Sequence, residues 1–272
     1  MGRARQGDTS PQGAAWLWQQ ILAEARELAG GEPILATLHH AVILNHADLA
    51  AALSHFLAER LGSRDVSAAL IRQVCHQAYA DEPELIEAAA ADILAHCDRD
   101  PACEGYSMPL LYYKGFHAIQ AYRVMHWLWR QGRHGLAHYW QNRVAIVFDV
   151  DIHPAARIGR GIMVDHATGL VIGETTVVAD RVSVLHGVTL GGSGRQRGQR
   201  RHPHVGEGVL IAAGARLLGP IDVGRSAKIA AGSVVLEDVP AHTTVAGVPA
   251  RVVARSRAGD APAMAMDHKL PE

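Results

Sequence analysis

In "VDHATG", residues 164–169, an Asp and a His stand side by side among small and aliphatic residues. An imidazole titrating near neutrality is the common general base for a hydroxyl nucleophile. A carboxylate on one ring nitrogen would fix its tautomer and raise the basicity of the other. Asp165 adjoins His166, and Asp151 lies 15 residues upstream. A second concentration of polar chemistry is "GRQRGQRRHPH", where Arg195, Arg197, Arg200, Arg201 and His202 precede His204. It has no aromatic residue to stack a base and no Gly-Lys-Ser/Thr of a phosphate loop, so binding of a small substrate suits it better than nucleic acid.

Composition narrows the classes. A formal net charge of -1 argues against bulk capture of nucleic acid or an anionic membrane. No apolar run reaches the length of a bilayer span. The opening "MGRARQGDTSPQG" lacks the apolar centre of a signal peptide and predicts a disordered lead-in over 1–13. Cys75, Cys97 and Cys103 are odd in number and have no metal-ligand spacing. They read as reduced thiols of a cytoplasmic protein, without a disulfide framework or a metal site.

Two kinds of element must hold these residues. Ten glycines lie in 1–150 and 16 in 151–250, which marks a boundary between them. Before it, Leu35, Leu38, Val42, Leu49, Leu53, Phe56 and Leu57 recur at threes and fours, as one buried helix face. Gly62 reads as a stop, the following "SRD" as a new N-cap, and Val66, Leu70, Val74 and Ala78 as the next helix face. "DEPELIEAAAADILAHC" starts another helix at Pro83, and Pro101 forces Asp100 into an extended conformation. "PLLYYKGFHAIQAYRVMHWLWRQG" reads as one more. Domain bounds follow: helices over 14–148, a second domain over 149–255, and a flexible tail over 256–272.

After the boundary the period changes to six. Ile152, Ile158, Val164, Leu170, Val182 and Val188 keep a strict grid, with Thr176 its one polar occupant. A second grid runs Val205, Ile211, Leu217, Val223, Ile229 and Val235. Neither a helix nor a plain strand repeats at six, but a triangular coil of three short strands does. The fold class is therefore α+β: an all-helical domain followed by a left-handed parallel β-helix. Val188 to Val205 is 17 residues, out of phase with the grid, so a loop must leave the prism and return. His166, two places after inward Val164, projects near a corner. A coil of about 18 residues sets Asp151 one layer of about 4.8 Å below a point three residues past His166.

"VDIHPAARIGRGIMVDHATG", "VTLGGSG…RHP" and "HTTVAGVPARVV", with "DRDPA" and "PLLYYKGFHAIQAYRVMHWLW" in the helical half, closely resemble the serine O-acetyltransferases. The resemblance runs over roughly residues 35–255 and includes parts that generic hexapeptide enzymes lack. It implies that His166 takes the proton of the serine hydroxyl as it attacks the acetyl-CoA thioester, with Asp151 orienting the ring. It implies that Asp100 and Asp165 hold the serine ammonium, and that Arg201 and His202 hold the carboxylate. Acetyl-CoA, a co-substrate rather than a resident cofactor, would lie between neighbouring β-helices near Gly192, Ala213, Lys228 and Ala231. The family trimerises along its β-helices, pairs trimers into hexamers through the helical domains, and is inhibited by L-cysteine at the serine site.

Other readings stand beside this one. Some hexapeptide β-helices bind zinc through three histidines, and His166, His186, His202 and His204 are eligible by type. However, His202 and His204 fall in the out-of-phase segment, and the helical domain has no place in that reading. A non-catalytic scaffold is the third reading. The chain also departs from the family: many members end in an Ile that inserts into O-acetylserine sulfhydrylase, whereas "MAMDHKLPE" ends in Glu272. That departure weighs against such a complex.

Overall fold

The computed structural model describes residues 13–194, 199–255 and 261–269; the lead-in up to residue 12, Arg195, Arg197 and Glu272 lie outside them. The chain begins with α1 (Ala14–Gly31), α2 (Pro33–His39), α3 (Leu49–Leu61), α4 (Ala68–Asp81) and α5 (Glu84–Arg99). It continues through α6 (Ser107–Tyr112), α7 (Lys114–Arg130) and α8 (His134–Phe148), with a short α9 (Pro262–Ala265) near its end. Leu17, Ile21, Leu53, Leu57, Ile93 and Trp140 are fully buried between the helices.

Three helical expectations change. The stripe from Leu35 to Leu57 is not one face: a π-helical turn (His40–Leu44) follows α2, and the chain breaks before Asp48. The Asp48 carboxylate accepts from Ala51 N at 2.8 Å, capping a new helix, while Leu35 stays 38% exposed. In α4 the buried stripe is Ile71, Cys75, Ala78 and Tyr79, which leaves Leu70 53% exposed. Ser67 rather than "SRD" precedes that helix, and the Ser63 hydroxyl accepts from Asp65 N and Val66 N in a turn. Finally, Tyr113 takes an extended conformation (φ -93, ψ 99) and splits the last long helix into α6 and α7.

The second half is a parallel β-helix. Its strands are β1 (Val150–Ile152), β2 (Arg157–Ile158), β3 (Met163–Val164), β4 (Leu170–Ile172), β5 (Val177–Val178), β6 (Ser183–Val184) and β7 (Thr189–Gly191). After the loop come β8 (His204–Val205), β9 (Leu210–Ile211), β10 (Arg216–Leu218), β11 (Asp222–Val223), β12 (Lys228–Ile229) and β13 (Val234–Val235). The hairpin β14 (Thr243–Gly247) and β15 (Ala250–Arg255) closes the solenoid. The three faces stack as β1-β4-β7-β10-β13, β2-β5-β8-β11 and β3-β6-β9-β12-β14.

Register corrects the phase of the grid. Ile152 pairs with Ile172, so the first coil holds two residues more than the 18 between Ile172 and Leu190. The extra pair falls at the His166 turn. Beyond it the strand residues facing the core are Ile172, Val178, Val184 and Leu190, while Leu170, Thr176, Val182 and Val188 fill the corners two places earlier. Leu190 pairs with Leu217, 27 residues on, so the excursion between β7 and β8 adds nine.

Buried polar contacts lock the helices to the first coil. The Asp92 carboxylate accepts from Arg123 Nη2 at 2.6 Å, Gln120 Nε2 at 2.9 Å and Ile162 N at 2.8 Å. Every partner of this buried charge is satisfied, as its desolvation requires. His126 Nδ1 meets Pro154 O at 2.7 Å, which lays α7 along the coil that carries Asp151 and His166. Within the tail expected from 256, residues 261–269 are described. Ala263 is fully buried, and its carbonyl accepts from the Ser183 hydroxyl at 2.9 Å.

Candidate active site

Strand β3 ends at Val164, and the next residues turn sharply. His166 and Ala167 both adopt positive φ (57 and 61), a left-handed pair without glycine. Ala167 N donates to Asp165 O at 2.6 Å, and Thr168 N to His166 O at 2.8 Å. Such local strain is characteristic of functional turns. It turns His166 outward, its side chain 71% exposed, with Nε2 3.6 Å from Asp165 Oδ2. Lys114 Nζ donates to Thr168 Oγ1 at 2.6 Å and ties this turn to the start of α7.

This turn forms one wall of a cleft of ≈ 470 Å³ that also contains Asp100, Tyr113, Lys114 and Asp165. Asp100 is extended (φ -97, ψ 111), as Pro101 demands, and its Oδ1 accepts from Ala102 N at 2.8 Å. Two carboxylates beside an exposed imidazole suit a cationic substrate whose hydroxyl must lose a proton.

Arg201 and His202 are not in that cleft. They sit at the far end of β4, where Arg201 pairs with the Glu174 carboxylate. Arg201 N and His202 N both donate to Thr175 Oγ1 at 3.1 Å. Thr175 N donates to His202 Nδ1 at 3.2 Å, which leaves Nε2 as the protonated nitrogen. Burial, and then the Arg201 charge, lower the pKa of His202, so it presents a neutral N–H donor. Glycine makes room for the ring: a side chain at Gly173 would overlap it, and one at Gly192 would come within 3.0 Å of Nε2.

Asp151 belongs to this second group. Its carboxylate accepts from Gln141 Nε2 at 2.7 Å, and among the described residues it has no hydrogen bond or ion pair with His166. The 20-residue first coil pairs it with Val171, five residues past His166 instead of three. Its neighbour His153 has its pKa lowered by burial and feels the charges of Glu174, Arg201 and Asp151.

The residues expected along acetyl-CoA divide in the same way. Gly187 N donates to Thr168 O, Gly214 N to His186 O and Gly232 N to Ala213 O, each at 2.8–2.9 Å. These bonds stack one corner, so Ala213 and the adjoining Ala231 rise in a column above the His166 turn, while Gly192 lies with His202. Lys228 is buried under the tail, within 3.7 Å of Asp267. Sequence reasoning missed Lys114, Thr168, Thr175 and Glu174; Lys114 reaches the turn only through the break at Tyr113, which the apolar pattern does not mark. No three His, Cys, Asp or Glu among the described residues are placed to hold a metal ion, and no single described helix is long and apolar enough to cross a membrane.

Comparison with known proteins bears on this geometry. Residues 17–121 match the family described as serine acetyltransferase, N-terminal. The serine acetyltransferase of Escherichia coli (strain K12) is 58% identical over 251 residues, which is 92% of this chain and 91% of that protein. A serine acetyltransferase solved in complex with cysteine superposes with a TM-score of 0.92 at 53% identity, covering 94% of this chain and 98% of that one. Another, in complex with CoA, gives 0.85 at 54% identity, over 88% of this chain and 100% of that one. The chain is an acyltransferase, and it belongs to the serine acetyltransferase family.

Proposed function

We propose that the protein transfers the acetyl group of acetyl-CoA to the hydroxyl of L-serine, giving O-acetyl-L-serine and CoA at the first step of cysteine synthesis. The observation that carries this reading is the division of the polar residues between two edges of one prism face. One edge holds Asp100, Asp165 and His166 in a cleft, and the other holds Arg201, His202 and Asp151. A zwitterionic amino acid needs both an anionic and a cationic clamp. Trimerisation along the β-helices, with helical domains pairing two trimers, would join one protomer's first edge to its neighbour's second. There Asp100 and Asp165 hold the ammonium, while Arg201 and the His202 Nε2–H hold the carboxylate. His166 accepts the hydroxyl proton with Asp151 of the adjoining edge as its orienting carboxylate. The serine oxygen attacks the thioester carbonyl, the C–S bond breaks, and the proton passes to the CoA sulfur, without a covalent acetyl-enzyme.

The CoA chain would run up the column of Ala213 and Ala231, against Gly192 and towards Lys228. L-Cysteine carries the same ammonium and carboxylate as serine, so it occupies the same clamps and inhibits; a relative solved with cysteine supports this. The test is loss of thioester absorbance from acetyl-CoA in the presence of L-serine. Turnover that falls about 10²–10⁴-fold in His166→Ala is the expected result. Undiminished turnover in that variant removes His166 as the base.

A further inference from the structure

The Asp100 turn is bracketed by two thiols that the acyl transfer does not use. Cys97 is in the last turn of α5 and Cys103 follows the turn; both are buried, and their sulfurs are 3.2 Å apart. Both also point at Gly105 O, at 3.6 and 3.4 Å. Between them, Cys103 N donates to Asp100 O at 3.0 Å, and Ala102 N donates to Asp100 Oδ1. We infer that Cys97 and Cys103 form a modification site, a dithiol that a peroxide oxidises to a disulfide, and that the bridge weakens serine binding by displacing the Asp100 turn.

The contact geometry favours closure. A disulfide needs its sulfurs about 2.0 Å apart, so each moves by about 0.6 Å, well within a side-chain rotation plus a small shift of the turn. Asp100 and Ala102, on the turn between the two cysteines, line the open cleft, and the buried thiols meet a peroxide when that exposed turn opens. Cys103 is the first nucleophile. Hydrogen bonds from Cys97, and next from Tyr113, outweigh burial and lower its pKa, whereas burial pushes Cys75 up to about 12.

The steps balance. The Cys103 thiolate attacks one peroxide oxygen, the O–O bond breaks, and the departing hydroxide takes a proton to become water. Cys97 then attacks the sulfenic sulfur, the S–O bond breaks, and the second hydroxide leaves with the Cys97 proton as water. Two thiols and one peroxide thus give one disulfide and two waters, and two electrons pass to the peroxide. The bridge ties the end of α5 to Cys103 across the turn, and the shift it needs falls on the backbone around Asp100, whose carbonyl accepts from Cys103 N and whose carboxylate accepts from Ala102 N. This effect on serine rests on Asp100 as the ammonium clamp; formation of the bond does not.

The experiment treats the full chain with hydrogen peroxide, maps its cysteine peptides, and measures KM for L-serine and for acetyl-CoA. The expected result is a Cys97–Cys103 bridge, a rise of about fivefold or more in serine KM, an unchanged acetyl-CoA KM, and recovery with dithiothreitol. Cys103→Val should keep its serine KM through the treatment, and Cys75→Ala should respond as the parent does. A treated protein without the bridge overturns the proposal. A bridge that leaves serine KM unchanged overturns the coupling. Asp100→Asn measured alongside separates that failure from a wrong clamp, for then the substitution also leaves serine KM unchanged.

Discussion

Two imidazoles deep in the helical half make stability depend on pH. His117 Nε2 meets Leu110 O at 2.9 Å, and burial holds its pKa down to about 3. Burial holds His96 down to about 4. Both would titrate near 6.5 in the unfolded chain, so as pH falls below 6.5 the unfolded state takes up protons that the folded state refuses. Their contribution is complete above pH 6.5 and is lost as pH falls towards the folded values, at about 1.4 kcal/mol per unit for each histidine. Urea unfolding between pH 7 and 5 should show this slope, and His117→Phe should lower it by one proton's worth; equal slopes would remove His117 as its source. At this scale His166 and Asp165 were legible because polar neighbours interrupt an aliphatic repeat. Thr175 and Glu174, which set the tautomer of His202 and the direction of Arg201, were not, because their partners lie 26–27 residues away.

Between elements, the contact that sets the cleft is the start of α7 against the end of β3. Gly115 sits there with no room for a side chain, since an added Cβ would overlap Val164 O. Gly115→Ala should cost about 1–3 kcal/mol and lower kcat, because Val164 leads directly into Asp165 and His166. Gly135 in α8 has nothing within 4 Å of an added Cβ, so Gly135→Ala should be neutral or stabilise by about 0.5–1 kcal/mol. Thermal unfolding and initial rates check both; a Gly115→Ala protein as stable and active as its parent would show that α7 can shift without moving the turn. The hexapeptide period made the β-helix readable. It could not place the two extra residues at His166, because the aliphatic filling of the corners continued the old count through them.

Across the whole molecule, the separation of the two polar groups within one chain predicts a site completed between protomers. His166→Ala and Arg201→Ala should each be nearly inactive as homo-oligomers. Co-expressed and assembled at random, they should recover about a quarter of parental turnover, the share of interfaces that draw an intact edge from each side. Mixed oligomers, verified by mass, that recover nothing would put a complete site in each chain.

The sequence alone determined the class of each half and the resemblance of its motifs to one family. Periodicity and motif are local properties, written every three, four or six residues. Only the tertiary structure decided which site residues meet. The length of the first coil carries Asp151 away from His166 within the chain, the break at Tyr113 brings Lys114 to the His166 turn, and the fold of residues 97–103 brings two thiols into contact. These outcomes depend on how turns and helix ends pack against neighbouring segments, and no repeating pattern records that packing.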